Sequence, residues 1–232
     1  MKTQSAVLFT VICLFACCTH RQTLPVVVKT EDKKVNDGLS WPNVEYNRYT
    51  RVVIEFHYFM TQLGRLEVVH EHGVVVGPRT IITRDFASLF VPPDFLLQGV
   101  TVRSVYGGWS GMPASIIMVL KEDDGVMLLS TNEDMPNMVP AVFGGISYGG
   151  AVGYVFDEDR SLKGPEKTKV TPVLVSLSAD GKRCKPEKKH ENILGNGDML
   201  FDMKHRLVCV SRTSAQKVER FLRANGISVV TN

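Results

Sequence analysis

Long apolar runs are scarce in this 232-residue chain, and the one that matters stands at its start. Lys2 precedes a ten-residue apolar stretch from Ala6 to Phe15, followed by small residues at Ala16 and Cys18. A helix needs about 20 apolar residues to cross a hydrocarbon core of ~30 Å. The stretch is too short for that, and residues 1–18 read as a cleavable secretory leader. A lipid-modified cysteine after Leu14-Phe15-Ala16 is an alternative that Phe15 fits poorly. No later segment is long and apolar enough to span, so a secreted, extracellular protein without a membrane anchor is expected.

Cysteine is sparse as well. Of the five, Cys13, Cys17 and Cys18 fall in the leader, which leaves Cys184 and Cys209. A domain of this length has core enough to fold without disulfides, and the sequence leaves open whether the two pair. No Asn-x-Ser/Thr acceptor occurs, so N-glycosylation is not expected. Charge of one sign is also missing. The net value is only +3, and the basic residues are dispersed, which argues against a nucleic-acid partner. One basic run, Lys182-Arg183-Cys184-Lys185 continuing to Lys188-Lys189-His190, is broken by Pro186 and Glu187 and reads as a solvated loop. Internal repeats are lacking too.

What is present is ordinary globular material, with 44% hydrophobic and 22% charged residues. Residues 19–50 are polar, contain proline and show no sustained period, so they form an N-terminal arm. From Arg51 the texture turns to β. Val52 to Phe59 is rich in β-branched and aromatic residues, and Gly64 marks a turn before Leu66–Val69. Strands are predicted at Gly73–Gly77, Thr80–Thr83, Gly99–Tyr106, Ser115–Leu120 and Val126–Ser130. The second half repeats the pattern at Ala151–Phe156, Thr171–Leu177, Met199–Phe201 and Arg206–Ser211, with Met135 to Pro140 as connector. One helix is predicted over Gln216–Ala224, with Ser214 as its cap and Gly226 after its end. The expected fold class is all-β: two six-stranded antiparallel barrels, about 51–135 and 141–212, and a C-terminal helix about 214–225.

Three segments carry a family resemblance. Gly73-Val74-Val75-Val76-Gly77-Pro78-Arg79-Thr80-Ile81-Ile82-Thr83 resembles the GGSLISPRWVLTAAHC segment of trypsin/chymotrypsin-like serine proteases as far as its Thr. Gly125-Val126-Met127-Leu128-Leu129 is similar to DIALL. Gly195-Asn196-Gly197-Asp198-Met199-Leu200-Phe201, followed by His205–Ser211, resembles DSGGPLF and the LVGIVS strand after it. The order and spacing match, and the likeness covers about residues 51–227. The resemblance implies a trypsin-like domain with its active site between two barrels.

Carried over one position at a time, the resemblance also implies lost chemistry. Acyl transfer in that family needs a Ser nucleophile, a His base and an Asp that orients the His. Those positions fall on Asn196, Phe86 and Gly125. A phenyl ring accepts no proton, glycine has no carboxylate, and an amide does not attack carbonyls. Asp124 is adjacent to Gly125 but one residue out of phase on a strand. The base of the primary specificity pocket falls on His190, and Gly195 replaces the Asp that receives the new N-terminus after activation. No Arg-Ile-Val-Gly-Gly-like cleavage text occurs; the nearest is Tyr49-Thr50-Arg51-Val52-Val53.

Other chemistry-bearing residues have plainer readings. His70-Glu71-His72 is taken as a partly exposed strand edge, His57 as a hydrogen-bonded structural residue, and Cys209 as a small buried hydrophobe. Glu122-Asp123-Asp124 reads as a solvated turn, and the glycines of Val142 to Gly150 as turn and strand punctuation. No cofactor or metal is expected. The expected function is a secreted, non-catalytic protease homologue that binds an extracellular protein. Two alternatives stand beside it: a hydrolase using displaced residues such as Asp85, His190 and a nearby Ser, and an unrelated secreted β-sandwich.

Overall fold

The computed structural model describes residues 49–85, 93–105, 108–120, 125–146, 150–158, 168–192 and 199–231. The leader, the arm up to residue 48, Phe86, Asn196 and the run Glu122-Asp123-Asp124 lie outside the described residues.

In the first half, alternation along the strands sets the packing. β1 (Arg51–Met60) turns Val52, Ile54, Phe56 and Tyr58 inward, where they are buried, while Glu55 and His57 take the other face. The turn to β2 (Arg65–Gly77) uses Gly64 at φ +60°. β3 (Thr80–Arg84), β4 (Phe95–Ser104), β5 (Met112–Leu120) and β6 (Val126–Thr131) follow. They hydrogen-bond in the order β1-β2-β3-β6-β5-β4 and close into a barrel. Val52, Ile54, Phe56, Val75, Ile81, Val102, Met127 and Leu129 fill it. A fully buried aliphatic or aromatic side chain of this size contributes ~1.5–3 kcal/mol, which makes this filling the main support of the first half.

The second half holds β7 (Val142–Phe143), β8 (Ala151–Glu158), β9 (Thr168–Leu177), β10 (Cys184–Pro186), β11 (Met199–Phe201), β12 (Leu207–Val210) and β13 (Thr213–Ser214). Pairing runs β10-β9-β8-β11-β12, with β13 on β12. Arg183 bridges Thr213, Cys184 N–H donates to Arg212 O at 2.7 Å, and Ser214 N–H donates to Lys182 O at 2.9 Å. These contacts bring the start of β10 beside β13 within the second sheet. α1 (Ala215–Ala224) begins at Ser214, whose hydroxyl accepts from Lys217 N–H. The chain finishes with β14 (Val230–Thr231), parallel to β7.

The two halves share a core. Val74, Val76, Ile82, Val126 and Leu128 leave the first barrel to meet Phe143, Tyr154, Phe156, Phe201 and, from α1, Val218 and Leu222. Cys184 and Cys209, left open by the sequence, form a disulfide between β10 and β12 with a Cα–Cα distance of 6.5 Å. The plain reading of Cys209 as a small hydrophobe is corrected: it is buried, but as a half-cystine. The basic run is not a loop throughout either. It forms β10 and a short 3-10 turn at Lys188–His190, because Lys185 and Pro186 pair with β9.

Candidate functional site

The end of β3 and the start of β6 define the candidate site. Of the three positions assigned to the triad, Gly125 is described, while Phe86 and Asn196 lie outside the described residues. Gly125 precedes β6 with φ +68°, a backbone conformation that suits glycine. Its carbonyl accepts from Asp85 N–H at 3.3 Å, so the two backbones are held side by side. A Cβ on residue 125 would sit 2.6 Å from the Cβ of Asp85 and 3.4 Å from its Oδ2. The Asp85 side chain, buried at 2% exposure, fills the space in front of Gly125.

Polar groups gather at this end of the barrel. His70 and His72 are half-buried, in keeping with the partly exposed reading, but Glu71 between them on β2 is buried. Burial is tolerable because Arg84 donates to both its carboxylate oxygens, Nη2 at 2.6 Å and Nε at 3.2 Å. Tyr58 is enclosed, and its hydroxyl has no hydrogen-bond partner among the described residues. Burial, then the negative charges of Asp85 and Glu71, push its phenol above the ordinary tyrosine range. Sequence reading missed Tyr58 and the Glu71–Arg84 pair. Only the inward alternation of β1 and β2 signalled them.

On the barrel's outer face β1, β2 and β4 build a second polar group. Glu55 accepts from Arg103 Nε at 2.9 Å and from Thr101 Oγ1 at 3.0 Å, and His70 Nε2 lies 3.5 Å away. Thr101 donates to Glu55, so its oxygen accepts from His57 Nε2 at 2.9 Å, which agrees with the hydrogen-bonded reading of His57. Burial raises the Glu55 carboxyl. The hydrogen bonds from Arg103 and Thr101 and the charges of Arg103 and His70 outweigh it, leaving the group below 4.5. Among the described residues no cluster of three His, Cys, Asp or Glu side chains is placed to hold a metal.

His190 ends the 3-10 turn that follows β10, in the second half. Its Nδ1 is enclosed without a hydrogen-bond partner among the described residues. Asp85, the other displaced candidate, belongs to the first barrel, so the two come from different halves. Val142 and Phe143 of the glycine-bearing segment form β7, between β12 and β14, and residues 147–149 lie outside the described residues. No helix among the described residues is long and apolar enough to cross a membrane.

No family model matches this chain, and no curated protein matches it either. Solved structures do. The active form of the Rv3671c protease from M. tuberculosis aligns over 82% of this chain and 86% of its own, at TM-score 0.51 and 19% identity. The scabies mite inactivated protease paralogue S-I1 aligns over 79% of this chain and 96% of its own, at TM-score 0.52 and 12% identity. A closed barrel of six strands, a second sheet and one C-terminal helix are what these neighbours share with it, and this overturns the β-sandwich alternative. At identities this low the likeness establishes architecture and nothing finer: the chain has the trypsin-like protease fold.

Proposed function

We propose that this protein is a secreted, non-catalytic relative of the trypsin-like proteases that acts by binding an extracellular protein. The observation that carries the reading is the chemistry of Phe86, Gly125 and Asn196 within a trypsin-like fold. They supply no base, no orienting carboxylate and no hydroxyl. Loss of triad members costs such an enzyme ~10⁴–10⁶-fold in turnover. Fold persists while function lives in the site, so a maintained frame with an altered site favours binding over cleavage. The inactivated mite paralogue gives a precedent for such a pairing.

A hydrolase that uses Asp85 and His190 has less support. A working His is oriented through one ring nitrogen, and the enclosed Nδ1 of His190 has no hydrogen-bond partner among the described residues. The test treats purified protein with general peptide substrates and a serine-directed phosphonate probe. The expected result is neither turnover nor labelling. Labelling that a single serine-to-alanine change abolishes would overturn the non-catalytic reading. Sequencing the N-terminus of protein recovered from culture medium checks secretion, with a start at residue 19 expected.

A further inference from the structure

We propose that Asp85 and Gly125 form an interlock, in which Asp85 supplies this site's buried carboxylate from β3 and bars every side chain from position 125. Its bearing on catalysis rests on the reading above, in which residue 125 stands where an orienting carboxylate belongs.

Two features fix the close approach. The Asp85 N–H to Gly125 carbonyl bond clamps the strand ends together, and φ +68° at Gly125 directs an added Cβ toward Asp85. The first atom met is the Cβ of Asp85 at 2.6 Å. That atom is fixed to the backbone and cannot swing aside as the tip of a long side chain would. Asp85 Oδ2 lies 3.4 Å from the same point, so a carboxylate already occupies the volume that a residue at 125 would claim. A carboxylate at this place therefore comes from β3 or from β6, never from both. Restoring an aspartate at 125 alone cannot rebuild an orienting group, because the newcomer collides with the resident.

The collision with Cβ makes the proposal separable from a purely electrostatic one. Gly125→Ala should lower the thermal midpoint by roughly 5 °C or more. Asp85→Ala keeps the Cβ, so the Asp85→Ala/Gly125→Ala double variant should show losses that simply add. Asp85→Gly removes it, and Asp85→Gly/Gly125→Ala should recover at least ~3 °C over the sum of its single effects. Equal recovery with either Asp85 change, strict additivity in both pairs, or an undisturbed Gly125→Ala protein would each overturn the interlock. Should Gly125→Ala give no soluble protein, rescue of solubility by Asp85→Gly and not by Asp85→Ala is the expected result, and absence of rescue counts against it. The phosphonate assay on the unaltered protein reports separately on the non-catalytic reading, so the two can fail independently.

Discussion

The guanidinium of Arg51 donates to the main-chain carbonyl of Phe156 at 2.8 Å and lies 5.7 Å from the centre of its ring. Arg51 opens β1 and Phe156 belongs to β8, so one buried cation fastens the first barrel to the second. The sequence marked this arginine only as the nearest text to an activation site. Its 4% exposure and its pairing with Val74 on β2 place the bond to Val52 inside a strand. Limited digestion of native protein with trypsin should cut at exposed sites such as Arg65 and spare Arg51. A fragment beginning at Val52 would count against the arrangement. Arg51→Met, which keeps much of the apolar stem, should cost about 2 kcal/mol in urea unfolding, the scale of a hydrogen bond to a charged donor.

Cys184 and Cys209 close a loop with a sequence separation of 25. Chain-entropy arguments give such a loop about 3 kcal/mol. Replacing both cysteines by serine should lower stability by about that amount, measured by denaturant titration of the oxidised parent and the variant. An unchanged midpoint would mean the bond does not form in solution.

Acid should weaken the fold in two stages. Burial holds the half-buried His205 below 6.5, against the opposing pull of Asp202. A folded value below the unfolded one gives stability that is present above 6.5 and lost as pH falls. Glu55, held below 4.5, loses its contribution at lower pH for the same reason. His205→Asn suits the positive φ of 58° at that position, and should flatten the midpoint-against-pH curve just below 6.5. Its acid limb below 4.5, from Glu55, should persist. A curve with both limbs intact would show that His205 is not the titrating group.

Tyr58 makes the opposite prediction at high pH. Its folded phenol lies above 10.0, so its contribution is present below that value and lost as pH rises through the folded one. Phenolate absorbance from Tyr58 should then appear together with unfolding. Tyr58→Phe should remove one group from that step. Because the buried hydroxyl has no partner among the described residues, the change should cost little or even stabilise at neutral pH. A loss of several kcal/mol would reveal a hydrogen bond to the hydroxyl.

The frame was legible because β1, β6, β8 and α1 each carry a full period of buried residues, and Ser214 announces its helix. Two short strands of the second sheet were not. Cys184–Pro186 and Thr213–Ser214 are too short to show a period, and their place is decided by partners distant in the chain. His70-Glu71-His72 looked like an edge because three polar residues interrupt an apolar pattern. The compensating charge, Arg84, lies on the next strand. Asp85 was noticed as a titratable residue, yet nothing local revealed that its Cβ faces Gly125. That relation exists only once β3 and β6 are paired.

Closure of the first barrel has a consequence for how this molecule can meet others. Among the described residues the first barrel has no end strand, because β1 bonds to β4, whereas the second sheet runs from β10 to β14, with the start of β10 bridged to β13. Both end strands are short, three residues in β10 and two in β14. An incoming peptide therefore has only short end strands to extend, which leaves more of recognition to side chains on faces and connecting segments.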